Sequence, residues 1–287
     1  MHRVNVLGAG LFVVAVTVGT VPARAQTELG MDLGLFSSYV WRGLTRTNKP
    51  VAQPAIYLSF PVGSTSLTAG GWSSIDLGKY DDFTDDLSQS GGGSAFNLAE
   101  FQPYAEVSLP LGQATLTGGV TGYIYPNDAP APALGLMTSG ENTWEIYGKL
   151  GFDAALSPEI SVYYDVDKVK GAYLEGGISY SLEASERVSV DLGAVAGFSA
   201  GQDASGDVDE EAPRFLDNGF THLDLSAGIP FTAGNVAITP LLHVVVTGDE
   251  FTKTTSPTED SDVKLWGGVS ISWSRVLGTT PDEELGS

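Results

Sequence analysis

The sequence predicts an all-β chain closed into a transmembrane antiparallel β-barrel of twelve strands, with short turns at one rim and longer loops at the other. Three features carry that expectation. Stretches of about ten residues alternate apolar and polar side chains with a period of two, which is the strand period and the length of a membrane-crossing strand. The connections between them alternate short and long. Aromatic residues gather toward both ends of the apolar faces, as at two lipid interfaces.

Taken in chain order, residues 1–25 read as a secretion signal. His2 and Arg3 are followed by an uncharged run over 4–22 and the small-x-small site Ala23-Arg24-Ala25. On this reading the chain is exported through the inner membrane, the barrel occupies 26–273, and 274–287 form a polar C-terminal tail. The first strand is expected over 29–42. Leu29, Met31, Leu33, Leu35, Ser37, Tyr39 and Trp41 share one face; Gly30, Asp32, Gly34, Phe36, Ser38, Val40 and Arg42 share the other. Arg42 would then mark the outer rim, where the strand leaves the membrane.

Further strands are expected at 51–60, 66–75, 98–109, 114–125, 143–153, 159–167, 171–182, 187–199, 220–229, 235–247 and 263–273. The clearest alternations set Trp144, Ile146, Leu150 and Phe152 against Glu145, Tyr147 and Lys149, and Leu174, Ile178, Tyr180 and Leu182 against Tyr173, Glu175 and Ser179. One aromatic belt reads as Tyr39, Trp41, Phe101, Trp144, Tyr164 and Phe198. The other reads as Phe60, Phe152, Tyr180 and Trp273. Backbone groups in lipid must all be paired, so such a sheet must close on itself. A soluble β-sandwich would also alternate, but it has no reason to sort its loops by length.

Composition narrows the function. The net charge of −21 disfavours nucleic acid and anionic head groups, and the absence of cysteine excludes a disulfide framework. The expected partners are outer-membrane lipid and small solutes or cations, with no nucleic acid. Parity places Asp32, Arg42, Glu100, Glu106, Tyr123, Glu145, Lys149, Asp165, Glu175, Asp191, Asp224 and Lys264 on the lumen side. Acids outnumber bases there. Either water fills the lumen, which would then favour cations, or the bases pair with the acids in a bracing network. The first case gives a porin-like passive channel with cation preference in the bacterial outer membrane. The second gives a closed barrel with a structural, receptor or adhesin role carried by its loops. Inward tyrosines could plug the lumen, and Arg42 fits either the network or the ordering of the first loop.

No enzymatic arrangement is visible. Beyond the leader the histidines are His222 and His243, and no nucleophile, base and orienting group stand in a recognisable pattern. No cofactor or metal motif is present. Asp76, Asp81, Asp82, Asp85 and Asp86 cluster in one loop, and Asp203, Asp207, Asp209, Glu210, Glu211 and Asp217 in another. They lack the spacing of a defined calcium loop.

The stretch "SSYVWRGLTRTNKPVAQP" at 37–54 resembles the opening of a proteobacterial family known as Gcw_chp. Members open with an S-x-Y-x-x-R-G segment, then a polar turn containing proline and alanine, then the second strand. Here Ser38, Tyr39, Val40, Trp41, Arg42 and Gly43 carry the first segment; Thr47, Asn48, Lys49, Pro50 and Ala52 carry the turn. "LTAGGWSSID", "AEFQPYAEVSLPLG" and "WEIYGKLGFDAALSPEISVYYDVD" resemble later segments, so the likeness covers most of residues 30–182. It implies an outer-membrane barrel and brings no substrate.

Overall fold

In the strand Glu28–Phe36 (β1) the odd-numbered side chains face outward and the even-numbered ones inward: Met31 and Leu35 are exposed, Gly34 and Phe36 buried. The same period-two alternation runs through the other wall strands, the outward set being odd-numbered in some and even-numbered in others. These are Val51–Val62 (β4), Thr65–Asp76 (β5), Asn97–Leu111 (β6), Ala114–Tyr123 (β7), Thr143–Phe152 (β8), Glu159–Asp165 (β9), Ala172–Ser185 (β10), Val188–Ala200 (β11), Gly219–Gly228 (β12), Val236–Thr247 (β14) and Val263–Val276 (β15). Two short strands, Tyr39–Trp41 (β2) and Leu44–Thr47 (β3), form a sheet of their own, and Phe231–Ala233 (β13) continues the wall beside β14. The computed structural model describes residues 26–82, 86–88, 90, 94–127, 142–185, 188–201, 215, 218–247 and 261–277.

Each wall strand pairs antiparallel with its sequence neighbours. The ring closes because β1 pairs with β15, from Glu28↔Val276 to Phe36↔Gly268, and β12 pairs with β14. The result is a closed twelve-stranded barrel. Closure satisfies every ladder that an open sheet would leave bare in lipid. Both ends of the described wall lie at the short-turn end, where the Leu277 N–H donates to the Thr27 carbonyl at 2.7 Å.

Outside, Ile56, Val107, Leu116, Ile146, Ile160, Leu192 and Leu225 are exposed as an aliphatic band. Phe101, Trp144, Tyr164, Phe198 and Phe220 ring its long-loop side, and Phe60, Phe152, Tyr180 and Phe231 its short-turn side. This is the surface of a membrane-spanning barrel. Ile146, 51% exposed in β8, is fit only for lipid. Ile146→Arg is expected to cost about 2–4 kcal/mol in barrel stability, read from urea unfolding in lipid vesicles.

Most strand ends differ from the sequence expectation by one to three residues, as where β10 runs to Ser185 rather than 182, and two differences bear on the site. The last strand runs to Val276 rather than ending at Trp273, because Glu28 and Leu29 still offer it partners. The first wall strand ends at Phe36, not 42. Residues 37–50 turn into the barrel, so Tyr39 and Trp41 are not belt residues. Both are buried inside, and Arg42 does not stand at the rim. The expected signal at 1–25, Asp85, the acidic run Asp203 to Asp217 and the tail beyond Leu277 lie outside the described residues.

Candidate functional site

The chain leaves the wall at Ser37, whose N–H donates to the Gly267 carbonyl at 2.9 Å and whose hydroxyl accepts from the Gly267 N–H at 3.2 Å. Just before that point β1 lies close against β15 at Gly268, the partner of Phe36. A side chain there would begin 2.0 Å from the Leu35 carbonyl oxygen. β2 and β3 follow as a hairpin inside the lumen, paired from Tyr39↔Thr47 to Trp41↔Leu44. Its two-residue turn is Arg42-Gly43, with φ of 50° and 84°. Positive φ at both positions is what a type I′ turn demands, and its twist suits a tight hairpin. Glycine accepts this freely. Arginine accepts it at a cost of roughly 1–2 kcal/mol.

What holds Arg42 there is the opposite wall. Its guanidinium donates to both Glu145 carboxylate oxygens, at 2.9 and 2.8 Å, and both side chains are 0% exposed. Tyr123 donates a third hydrogen bond to Glu145 at 2.9 Å. The rings of Trp41, Tyr163 and Tyr173 face the guanidinium at 4.4, 4.6 and 4.2 Å. Burying two charges is costly, and a planar fork bonded twice and stacked on rings is the arrangement that offsets it best. Beside it, a side chain on Gly43 would begin 2.6 Å from His222 Cβ. Phe215, from the β11–β12 connection, stacks on both Trp41 and Tyr173. The hairpin therefore reaches from the β15–β1 wall across to β8, β9, β10 and β12.

Its returning leg is fastened at the long-loop rim. The Thr47 hydroxyl donates to Asp76 at 3.2 Å, and Ser88 and Ser90 donate to the other oxygen of the same carboxylate. Asn48 accepts the Leu87 N–H at 2.9 Å on its side chain and donates its own N–H to the Leu87 carbonyl at 3.2 Å. Lys49 pairs with Asp86 at 2.7 Å. Asp76 and Asp86, read from sequence as part of an acidic loop, thus tie that loop to the hairpin.

All the lumen residues expected from sequence, except Arg42, stand on wall strands, but they do different things. Arg42, Tyr123 and Glu145 meet in one network. Glu100 accepts from Tyr39 at 3.3 Å and from Gln102 at 2.5 Å. Asp165 caps the β9–β10 turn, accepting the Thr143 hydroxyl and the N–H groups of Asp167 and Val169. Asp224 pairs with His243 at 3.0 Å, and that imidazole stacks on Trp266 at 4.0 Å. Lys149 lies over the Tyr147 ring at 4.8 Å. Asp32, Glu106, Glu175, Asp191 and Lys264 remain half-buried.

The half-buried carboxylates Asp32, Glu106 and Asp191 belong to the short-turn half of the lumen, where tyrosines lie against wall glycines. Tyr57 lies flat against Gly30, where a side chain would begin 2.0 Å from its ring, and donates to Glu28 at 3.2 Å. Tyr104 and Tyr147 lie in the same way against Gly70 and Gly119. Gly30→Val is expected to push Tyr57 off the wall and cost about 1–3 kcal/mol, lowering the urea midpoint.

Sequence reasoning missed Tyr39 and Trp41 as interior residues. The available signal was two short alternating runs, Tyr-Val-Trp and Leu-Thr-Arg-Thr, around a two-residue pair ending in glycine. Trp72, Trp266 and Phe215 carried no such signal. Among the described residues, no group of three or more His, Asp or Glu side chains is placed to hold a metal ion.

No curated protein matches the chain. Solved structures give remote likenesses. An outer membrane channel from Pseudomonas putida F1 shares 11% identity over 89% of this chain and 97% of that one, with a TM-score of 0.49. LpxR from Salmonella typhimurium shares 12% over 86% and 99%, also at 0.49. The toluene transporter TodX of P. putida shares 12% over 92% of each chain, at 0.37. A family model described as a bacterial protein of unknown function, Gcw_chp, matches residues 21–221, and the chain belongs to that family.

Proposed function

We propose that this barrel resides in the bacterial outer membrane, long loops outward, as a channel for small solutes held shut by its own first loop. The observation that carries the reading is the fully buried Arg42–Glu145 pair, which bolts the hairpin to the far wall. An open porin-like lumen would leave such charges hydrated. Once the hairpin moves aside, Asp32, Glu106, Glu175 and Asp191 outnumber the half-buried Lys264, so the path favours cations. Passage needs displacement only; no residue is assigned catalysis. The fastening of the hairpin to Asp86 and Leu87 favours a second reading, in which the outer loops act as a receptor surface and the barrel never opens.

The test is a planar bilayer recording of refolded protein under a salt gradient. The whole protein is expected to insert, shift on gels with heat, and stay silent. A chain with 38–48 replaced by a short glycine–serine linker is expected to give discrete cation-selective steps. Immediate steps from the whole protein would overturn the closed reading. Silence from the linker variant would favour the receptor.

A further inference from the structure

The hairpin packs against both walls: its Tyr39 ring lies on Trp72 of β5 at 5.4 Å, and unpartnered buried polar atoms occur on the far side too, at Arg42 Nε and Ser199 Oγ. Toward β8–β12 it meets a closed packing of rings and a twice-bonded ion pair. Toward β15, β1, β4 and β5 the unpartnered groups stand beside a row of polar residues in register. Here Gln53 Nε2, Ser74 Oγ, Trp72 Nε1 and Trp266 Nε1 are buried without a hydrogen-bond partner. Their residues are 5%, 0%, 7% and 4% exposed. An unsatisfied buried polar group costs about 1–3 kcal/mol, and such groups in folded proteins are met by protein or by ordered water.

These groups belong to a continuous polar track on the inward face. At the outer rim, Ser88, Ser90 and Thr47 surround Asp76. Ser74 is the next inward residue of β5. Gln53 and Ser270 flank Gly34 on its two neighbouring strands, which places both at its height. One inward step toward the short turns, Asp32 faces Ser272 in register, and Asp32 is half-buried. Every polar position along this line is a serine, threonine, amide or carboxylate. Three of the unpartnered groups are N–H donors, which ask for oxygen acceptors of the smallest size. Water is such an acceptor, and it can donate onward to the serine and carboxylate oxygens.

We infer that this seam between the hairpin and the β15–β1–β4–β5 wall is a single-file water path joining the long-loop rim to the short-turn half of the lumen. It lets the closed barrel pass water while excluding hydrated ions. The inference rests on the closed reading above.

The experiment uses whole protein in lipid vesicles, shrunk with sucrose in a stopped-flow instrument, with ion leakage followed on the same vesicles. The wild-type barrel is expected to raise water permeability severalfold over protein-free vesicles without ion leakage. Gln53→Leu combined with Ser74→Val is expected to remove that excess. Wild-type vesicles no faster than empty ones would overturn the seam and leave the closed barrel standing. Ion leakage together with water flux that survives in the double variant would overturn both. Should the double variant fail to fold, wild-type protein labelled at the tryptophan indole nitrogens decides. Exchange of the Trp72 and Trp266 indole N–H with water is expected; protection of both would overturn the seam.

Discussion

Arg42→Ala is expected to convert a silent barrel into a conducting one. The substitution removes both hydrogen bonds to Glu145 and the cation stacked on Trp41, Tyr163 and Tyr173. It also takes the guanidinium's charge away from the buried Glu145 carboxylate, which keeps its hydrogen bond from Tyr123. Breaking one side of a buried pair costs about 3–5 kcal/mol, and nearly all of it falls on the seated hairpin. The wall loses nothing, since its ladders run through other strands. Folded variant protein should therefore keep its heat-dependent gel shift while single-channel records show frequent cation-selective openings. Arg42→Lys should behave similarly, because an ammonium offers no planar fork for two carboxylate oxygens or three ring faces. A well-folded Arg42→Ala barrel that stays silent would mean that the ion pair is not what keeps the hairpin in place.

Gly268→Val is expected to be the most damaging glycine replacement on the wall. The first valine carbon would stand 2.0 Å from the Leu35 carbonyl oxygen and 2.9 Å from Phe36 Cα. These are backbone atoms and cannot rotate away. Either β1 separates from β15 near the outer rim, or the chain cannot turn inward at Ser37. Overpacking of flexible neighbours costs about 1–3 kcal/mol, and backbone neighbours put this substitution at the top of that range. The readout is a lowered urea midpoint in lipid vesicles, with conductance in whatever fraction folds. A variant with wild-type midpoint and silence would show that the close approach of β1 to β15 tolerates bulk.

The wall was legible in the sequence because lipid on one side and lumen on the other enforce a period of two. The expected strand at 143–153 and the observed β8, Thr143–Phe152, agree nearly to the residue for that reason. The hairpin was not legible, because a strand pattern says which face a side chain takes and not what that face meets. Tyr39 and Trp41 continue the outward parity of Leu35, and only the observed turn at Ser37 sends them inward. Glu145 shows the same limit in the candidate site. Parity placed it inside, but its pairing with Arg42, far away in sequence, depends on how far a loop reaches across the lumen. The flat tyrosines were hidden for another reason. Gly30 and Tyr57 sit on different strands, so their fit depends on register, which composition does not reveal.

The pairing of β1 with β15 also sets an order of events. β1 finds β4 early, from the same stretch of chain, but its other partner is the last strand to be made. Contacts between segments so distant along a chain form slowly. The hairpin's anchor, at Gly267 and Gly268, belongs to that same late strand. Until β15 arrives, the hairpin has a far wall to dock on and no near wall to lean against. Ring closure and seating of the hairpin are thus expected to be coupled, both waiting on the same late strand.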